Sequence, residues 1–209
     1  MLGTKTIKSN KPCLIGNYSA YCDEYMYILY MPIKFLGYDV QIPKILDPFS
    51  ELIFRSVLDY QKYRNDYSLN YMYVTAKHLF VTKDNPGNRP GWHIDGFGTN
   101  DTNYIWTNKH PTEFAIQDFI LSEDHSKSLI EMENQFSGNI FKFSVYDLLR
   151  LDNTNVHRVP LNIESGVRTF FKLTFSKAKY NMQGNAHNYL FNYCWKMKPR
   201  KEERNHTNG

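Results

Sequence analysis

Between Tyr71 and Phe175 the chain breaks into short runs of aromatic and β-branched residues, each closed by Gly, Pro, Asn or Asp. Tyr71–Val81, Asn103–Trp106, Glu113–Gln117, Phe141–Val145, Val156–Leu161 and Arg168–Phe175 are such runs. Runs of this length bounded by turn residues predict strands. Arg168–Phe175 is apolar on both faces, which predicts a strand buried between two layers. One stretch keeps a helical period instead: Asp47-Pro48 starts it, and Phe49, Leu52, Ile53, Ser56, Val57 and Tyr60 recur at helical spacing. A helix over about 48–63 follows, with its apolar stripe on a sheet. Tyr25–Met31 and Val40–Ile42 read as further strands, and Glu123–Gln135 as a solvated loop or short helix. Many short strands with one substantial helix suggest a β-sandwich or jelly roll.

Composition fits one domain with an adequate core: 209 residues, 42% hydrophobic, with 16 Tyr and 14 Phe. The net charge is +4, below the strong polarity of a dedicated nucleic-acid-binding domain. Cys13, Cys22 and Cys194 form no paired framework, which favours a reduced, cytoplasmic setting. No apolar run approaches the length of a membrane span. Residues 1–70 are expected as an N-terminal flanking segment, 71–180 as the core, and 181–209 as a polar tail, charged and disordered from 196.

The chemistry centres on His93-Ile94-Asp95, a lone His157, and Arg168 eleven residues beyond it. On an extended strand, residues i and i+2 share a face, so His93 and Asp95 can present an imidazole and a carboxylate to one metal ion. His157 then completes a two-His-one-carboxylate facial triad, the donor set of non-haem Fe(II) with open positions. Arg168 heads an apolar strand, where a guanidinium can clamp a carboxylate in bidentate fashion. His78, His110 and His125 lack a partner at ligand spacing and are expected to be structural or exposed. Trp92 and Phe97 are expected in the core or along the pocket.

The tract Arg89-Pro90-Gly91-Trp92-His93-Ile94-Asp95-Gly96-Phe97, with Val156-His157-Arg158-Val159-Pro160 and Gly166-Val167-Arg168-Thr169-Phe170, resembles the Fe(II)/2-oxoglutarate-dependent oxygenase family over about residues 71–177. In length and motif it is similar to small bacterial and phage members. The resemblance implies a mainly β double-stranded β-helix (jelly roll) with flanking helices. It further implies Fe(II) on His93, Asp95 and His157, with 2-oxoglutarate as co-substrate, O2 as oxidant, and succinate and CO2 released. Arg168 would anchor the far carboxylate. Many relatives carry Ser or Thr two residues after this Arg, where the chain has Phe170, so Tyr104 or Thr112 is the expected second contact. Asp95 excludes the halogenating variant, whose carboxylate position holds a small residue. The oxidised group is expected to be a small molecule or single residue, with nucleic acid less favoured and no membrane partner. The alternatives are a zinc hydrolase using the same triad, which leaves Arg168 without a purpose, and a non-catalytic jelly-roll binding module.

Overall fold

The computed structural model describes residues 3–200. In chain order the elements are β1 (Thr4–Ser9), β2 (Cys13–Asn17), β3 (Met26–Lys34), α1 (Ser50–Tyr63), β4 (Tyr71–Val81), β5 (Thr102–Thr107), β6 (Glu113–Ala115), β7 (Gln117–Ser122), α2 (His125–Gln135), β8 (Ile140–Lys142), β9 (Asp147–Leu151), β10 (His157–Arg158) and β11 (Gly166–Ser176). The protein is mainly β, with antiparallel sheets and two α-helices. Six strands form the main sheet in the order β2-β9-β5-β11-β4-β3, beside a three-stranded sheet β10-β6-β8 and a pair β1-β7. Among the described residues these sheets do not close into a barrel.

Alternation on β11 decides what the main sheet does. Phe171 and Phe175 point to α1, where Phe171 stacks on Phe49 at 5.5 Å and Phe175 on Tyr60 at 3.9 Å. The helix meets them with Leu52, Ile53, Ser56 and Tyr60, a buried stripe of helical period. Its first turn follows a 3-10 turn over Lys44–Phe49 that accommodates Pro48. The opposite face of β11 carries Arg168, Phe170, Lys172 and Thr174. Phe170 joins Ile105, Phe114, Leu149 and Leu151 in a core between the main and three-stranded sheets. A further cluster, including Trp92, Ile94, Phe119, Leu121, Met132 and Val156, packs under β7 and α2. The Asp124 carboxylate caps α2 by accepting from Ser126 N and Lys127 N.

The long strands and α1 fall where the residue pattern puts them. Glu113–Gln117 instead divides at Ile116, whose N–H leaves the strand to bond Asn139 O. Val40–Ile42 forms no strand; Gln41 N bonds Ile33 O as a loop. Glu123–Gln135 is helical from His125, because burial of Ser128 and Met132 outweighs its polar surface. From the first seventy residues, β1 pairs with β7 and β2 with β9. Of the expected disorder over 196–209, residues 201–209 lie outside the described residues, while Lys198 N bonds Asn181 O. Among the described residues, no helix is long and apolar enough to cross a membrane.

Candidate metal centre

Two imidazoles meet because their backbones pair. His93 N bonds His157 O at 3.0 Å and His157 N bonds His93 O at 2.9 Å. A mutually bonded antiparallel pair places both side chains on one face, and the ring centroids are 4.4 Å apart. The expected strand around His93 is reduced to this single bridge. Asp95 opens a turn instead, closed by Thr99 N to Gly96 O at 2.9 Å. Gly96 takes φ 72°, and a Cβ there would lie 2.8 Å from Thr99 Oγ1. Although strand alternation does not act here, the ligand atoms of His93, Asp95 and His157 lie within 4.8 Å of one another.

The proton positions suit a cation. His93 Nδ1 lies 2.9 Å from Gly91 O and His157 Nδ1 lies 3.0 Å from Asn155 O. A carbonyl only accepts, so Nδ1 carries the proton and Nε2 keeps its lone pair for the centre. Burial, reinforced by His157, holds the His93 imidazole well below its usual pKa and therefore neutral. Burial opposes ionisation of Asp95 too, but the Lys172 ammonium and His157 outweigh it and hold the carboxyl well below the usual range. Two imidazoles that turn Nε2 to the centre and one carboxylate form a donor set that fits a divalent ion.

Lys172 was not singled out by the motif, yet it donates to Asp95 Oδ2 at 2.9 Å and to Tyr30 OH at 3.0 Å. The signal was its place four residues after Arg168, on the same strand face. Tyr30 is held on a bulge in β3 with φ 44°, and its N–H donates to Thr75 Oγ1. No local pattern predicted it.

A cavity of about 260 Å³ opens on the three ligands, lined further by Thr75, Lys77, Ile105, Thr112, Phe170 and Lys172. Thr112 thus reaches the cavity, whereas Tyr104 does not. On β5 the cavity face belongs to Ile105, and Tyr104 points to α1, donating to Asp59 at 2.7 Å. Arg168 is 2% exposed and does not line this cavity. Its Nε donates to Lys109 O at 2.9 Å, and its guanidinium lies 5.2 Å from the Phe170 ring centroid. Burial lowers it to about 10, leaving it charged at neutral pH. Lys77, paired across the strands with Phe170, does line the cavity. Burial, with the charges of Lys172 and Arg168, lowers its ammonium to about 7. Its Nζ bonds Gly87 O at 2.6 Å and Asn88 Oδ1 at 2.9 Å. Among the described residues, neither Lys77 nor Arg168 has a carboxylate in an ion pair. Arg158 has one: Glu113 accepts its Nε at 2.9 Å.

No protein-family model matches the chain, and no curated protein matches it significantly. A solved structure, that of a bsmA homolog from Methylobium petroleophilum PM1, is similar at a TM-score of 0.38 and 14% sequence identity, over 79% of this chain and 68% of that one.

Proposed function

We propose that the protein is an Fe(II)- and 2-oxoglutarate-dependent dioxygenase on a double-stranded β-helix scaffold, hydroxylating a small molecule or single residue. The observation that carries this reading is the His93–Asp95–His157 donor set at the end of a cavity also lined by Lys77, whose ammonium has no carboxylate in an ion pair among the described residues. Such a cavity fits a small dianion. When bound there, Fe(II) with 2-oxoglutarate and O2 supplies oxidative decarboxylation to succinate and CO2 and the oxidising power for a C–H bond.

The chain's own residues do the rest. His93 and His157 offer Nε2, fixed in tautomer by Gly91 O and Asn155 O. Asp95 supplies the charge, and Lys172 orients its Oδ2. Lys77 takes the far carboxylate of the co-substrate directly, with Arg168 adding its charge beside Phe170, and Thr112 is the hydroxyl contact. Ile105, Phe170 and Val159 exclude water from the cavity. The zinc-hydrolase alternative needs a general base near the triad, and among the described residues Asp95 is the only carboxylate that lines this cavity.

The test is anaerobic addition of Fe(II) and 2-oxoglutarate. A weak visible charge-transfer band is expected with the native protein and not with His157→Ala. Activity supported by zinc alone, with no band, would replace this reading by the hydrolase.

A further inference from the structure

Tyr30 lines three cavities: the first at the metal centre, a second of about 260 Å³, and a third of about 530 Å³ that reaches Trp195 and Met197. The first holds a nucleophile, the Lys77 amine, which the function proposed above uses only in its charged form. Alternation on β4 sends Thr75 and Lys77 to the cavity, and Lys77 is paired with Phe170 of β11 and Tyr27 of β3. The chain turns after Val81, where Thr82 and Asn85 exchange backbone hydrogen bonds at 3.0 and 3.1 Å, and runs back so that Gly87 and Asn88 reach Lys77. Gly87 takes φ 76° in this return, and a Cβ there would lie 3.1 Å from Val81 Cγ1.

Two oxygens face the amine: Gly87 O lies 2.6 Å from Nζ and Asn88 Oδ1 2.9 Å, with the Tyr27 ring centroid 5.2 Å away. An ammonium has three protons to place and no lone pair. A neutral amine gives its two protons to these two oxygens and keeps a lone pair, to which no group among the described residues donates. Among the described residues no carboxylate forms an ion pair with Lys77. Burial first, then the charges of Lys172 and Arg168, lower the ammonium to about 7, and Asp95 opposes them less. A lysine desolvated beside other cations is an activated nucleophile. The same neighbours favour an anion formed on its nitrogen.

We propose that Lys77 is a carbon dioxide site, where Nζ adds to the carbon of CO2 and forms a carbamate. The N–C bond forms, one C–O π bond opens to a carboxylate oxygen, and one amine proton leaves to water; nothing is oxidised or reduced. The reaction proposed above releases CO2 in this same cavity. That source rests on the reading of the metal centre given above, whereas the carbamate itself does not. A carbamate puts negative charge where the ammonium would hold the far carboxylate of 2-oxoglutarate. The two therefore exclude each other, and CO2 restrains turnover.

Metal-free protein without 2-oxoglutarate is equilibrated with isotopically labelled bicarbonate at mildly alkaline pH. A trialkyloxonium salt then esterifies carbamates before they revert, and peptide mass spectrometry locates the labelled lysines. Lys77 is expected to carry the label well above exposed Lys83. This readout needs no variant, so it decides even where a substitution fails to fold. The second readout is calorimetry of 2-oxoglutarate on the Fe(II) protein without oxygen, in bicarbonate against chloride at equal ionic strength. With half of Lys77 carbamylated, native affinity should fall about twofold. Lys77→Arg keeps a positive charge but has no amine to react, and its affinity should not respond to bicarbonate. Label at Lys77 no greater than at Lys83, or bicarbonate weakening Lys77→Arg as much as the native protein, would overturn the inference. A labelled Lys77 in a protein that never turns over 2-oxoglutarate would remove the oxygenase reading and keep the carbamate; turnover with Lys77 unlabelled would do the reverse.

Discussion

Lys77 and Arg168 bring two basic groups to the inner face of the main sheet, neither with a carboxylate in an ion pair among the described residues, and their consequences are separable by substitution. Losing one partner of a buried charge pair costs about 2–5 kcal/mol. At about 1.4 kcal/mol per decade, Lys77→Met should weaken 2-oxoglutarate binding by roughly one and a half to three and a half decades and Arg168→Ala, outside the cavity lining, by less, with Fe(II) affinity changing much less in both. Calorimetry checks both; equal loss of metal binding would make the residue a support of the fold. The pH dependence has a definite sign. The Lys77 ammonium titrates near 7 when folded, against 10.5 ordinarily, so the unfolded chain holds this proton where the folded one has released it. Its contribution makes stability rise from about pH 7 towards 10.5. Co-substrate affinity should fall over the same range, since the carboxylate needs the charged form. Urea melts across that range, flatter in Lys77→Met, test the first point. Gly96→Ala probes the turn that aims Asp95: a left-handed alanine costs about 1–2 kcal/mol, and Fe(II) affinity should fall while β11 packing stays intact.

Among the elements, α1 and β11 bear most of the architecture, and β10 with its bridge to His93 bears the site. Leu52 is fully buried against the sheet. Leu52→Ala should therefore cost about 2–5 kcal/mol, read as a lowered urea midpoint with unchanged slope, while Fe(II) affinity of the folded fraction is kept. The long elements were legible because each repeats its period over several turns or residues. Short ones were not. A two-residue strand such as β10 has no period to read, and the His93–His157 bridge joins residues far apart in sequence. The expectation that His93 and Asp95 share a strand face reached the right pair by a different geometry, since a turn delivers the carboxylate.

At the scale of the molecule, the C-terminal stretch is tied to the cavities. Arg200 lines the first, and Trp195 and Met197 line the third. Removing residues 196–209 is therefore expected to weaken co-substrate affinity and to lower thermal stability, although the triad lies upstream. Retention of both, by calorimetry and melting, would detach the stretch from the site. A charge of only +4 predicts DNA binding that is weak, sequence-independent and lost with salt, with a slope of about −0.9 per phosphate contacted. Tight binding at physiological salt would point to nucleobase oxidation instead.

The residue order alone determined the β-rich class, the strands β4, β5 and β11, the helix α1 and the three metal-ligand candidates, because alternation, helical period and motif spacing are local properties. Tertiary structure alone decided which cations face the cavity. It turned Tyr104 towards Asp59, set Arg168 beside Phe170, and brought Lys77, Lys172 and Tyr30 to the centre. Those outcomes depend on cross-strand register and on which sheet face receives α1, and register is fixed only when distant strands pair.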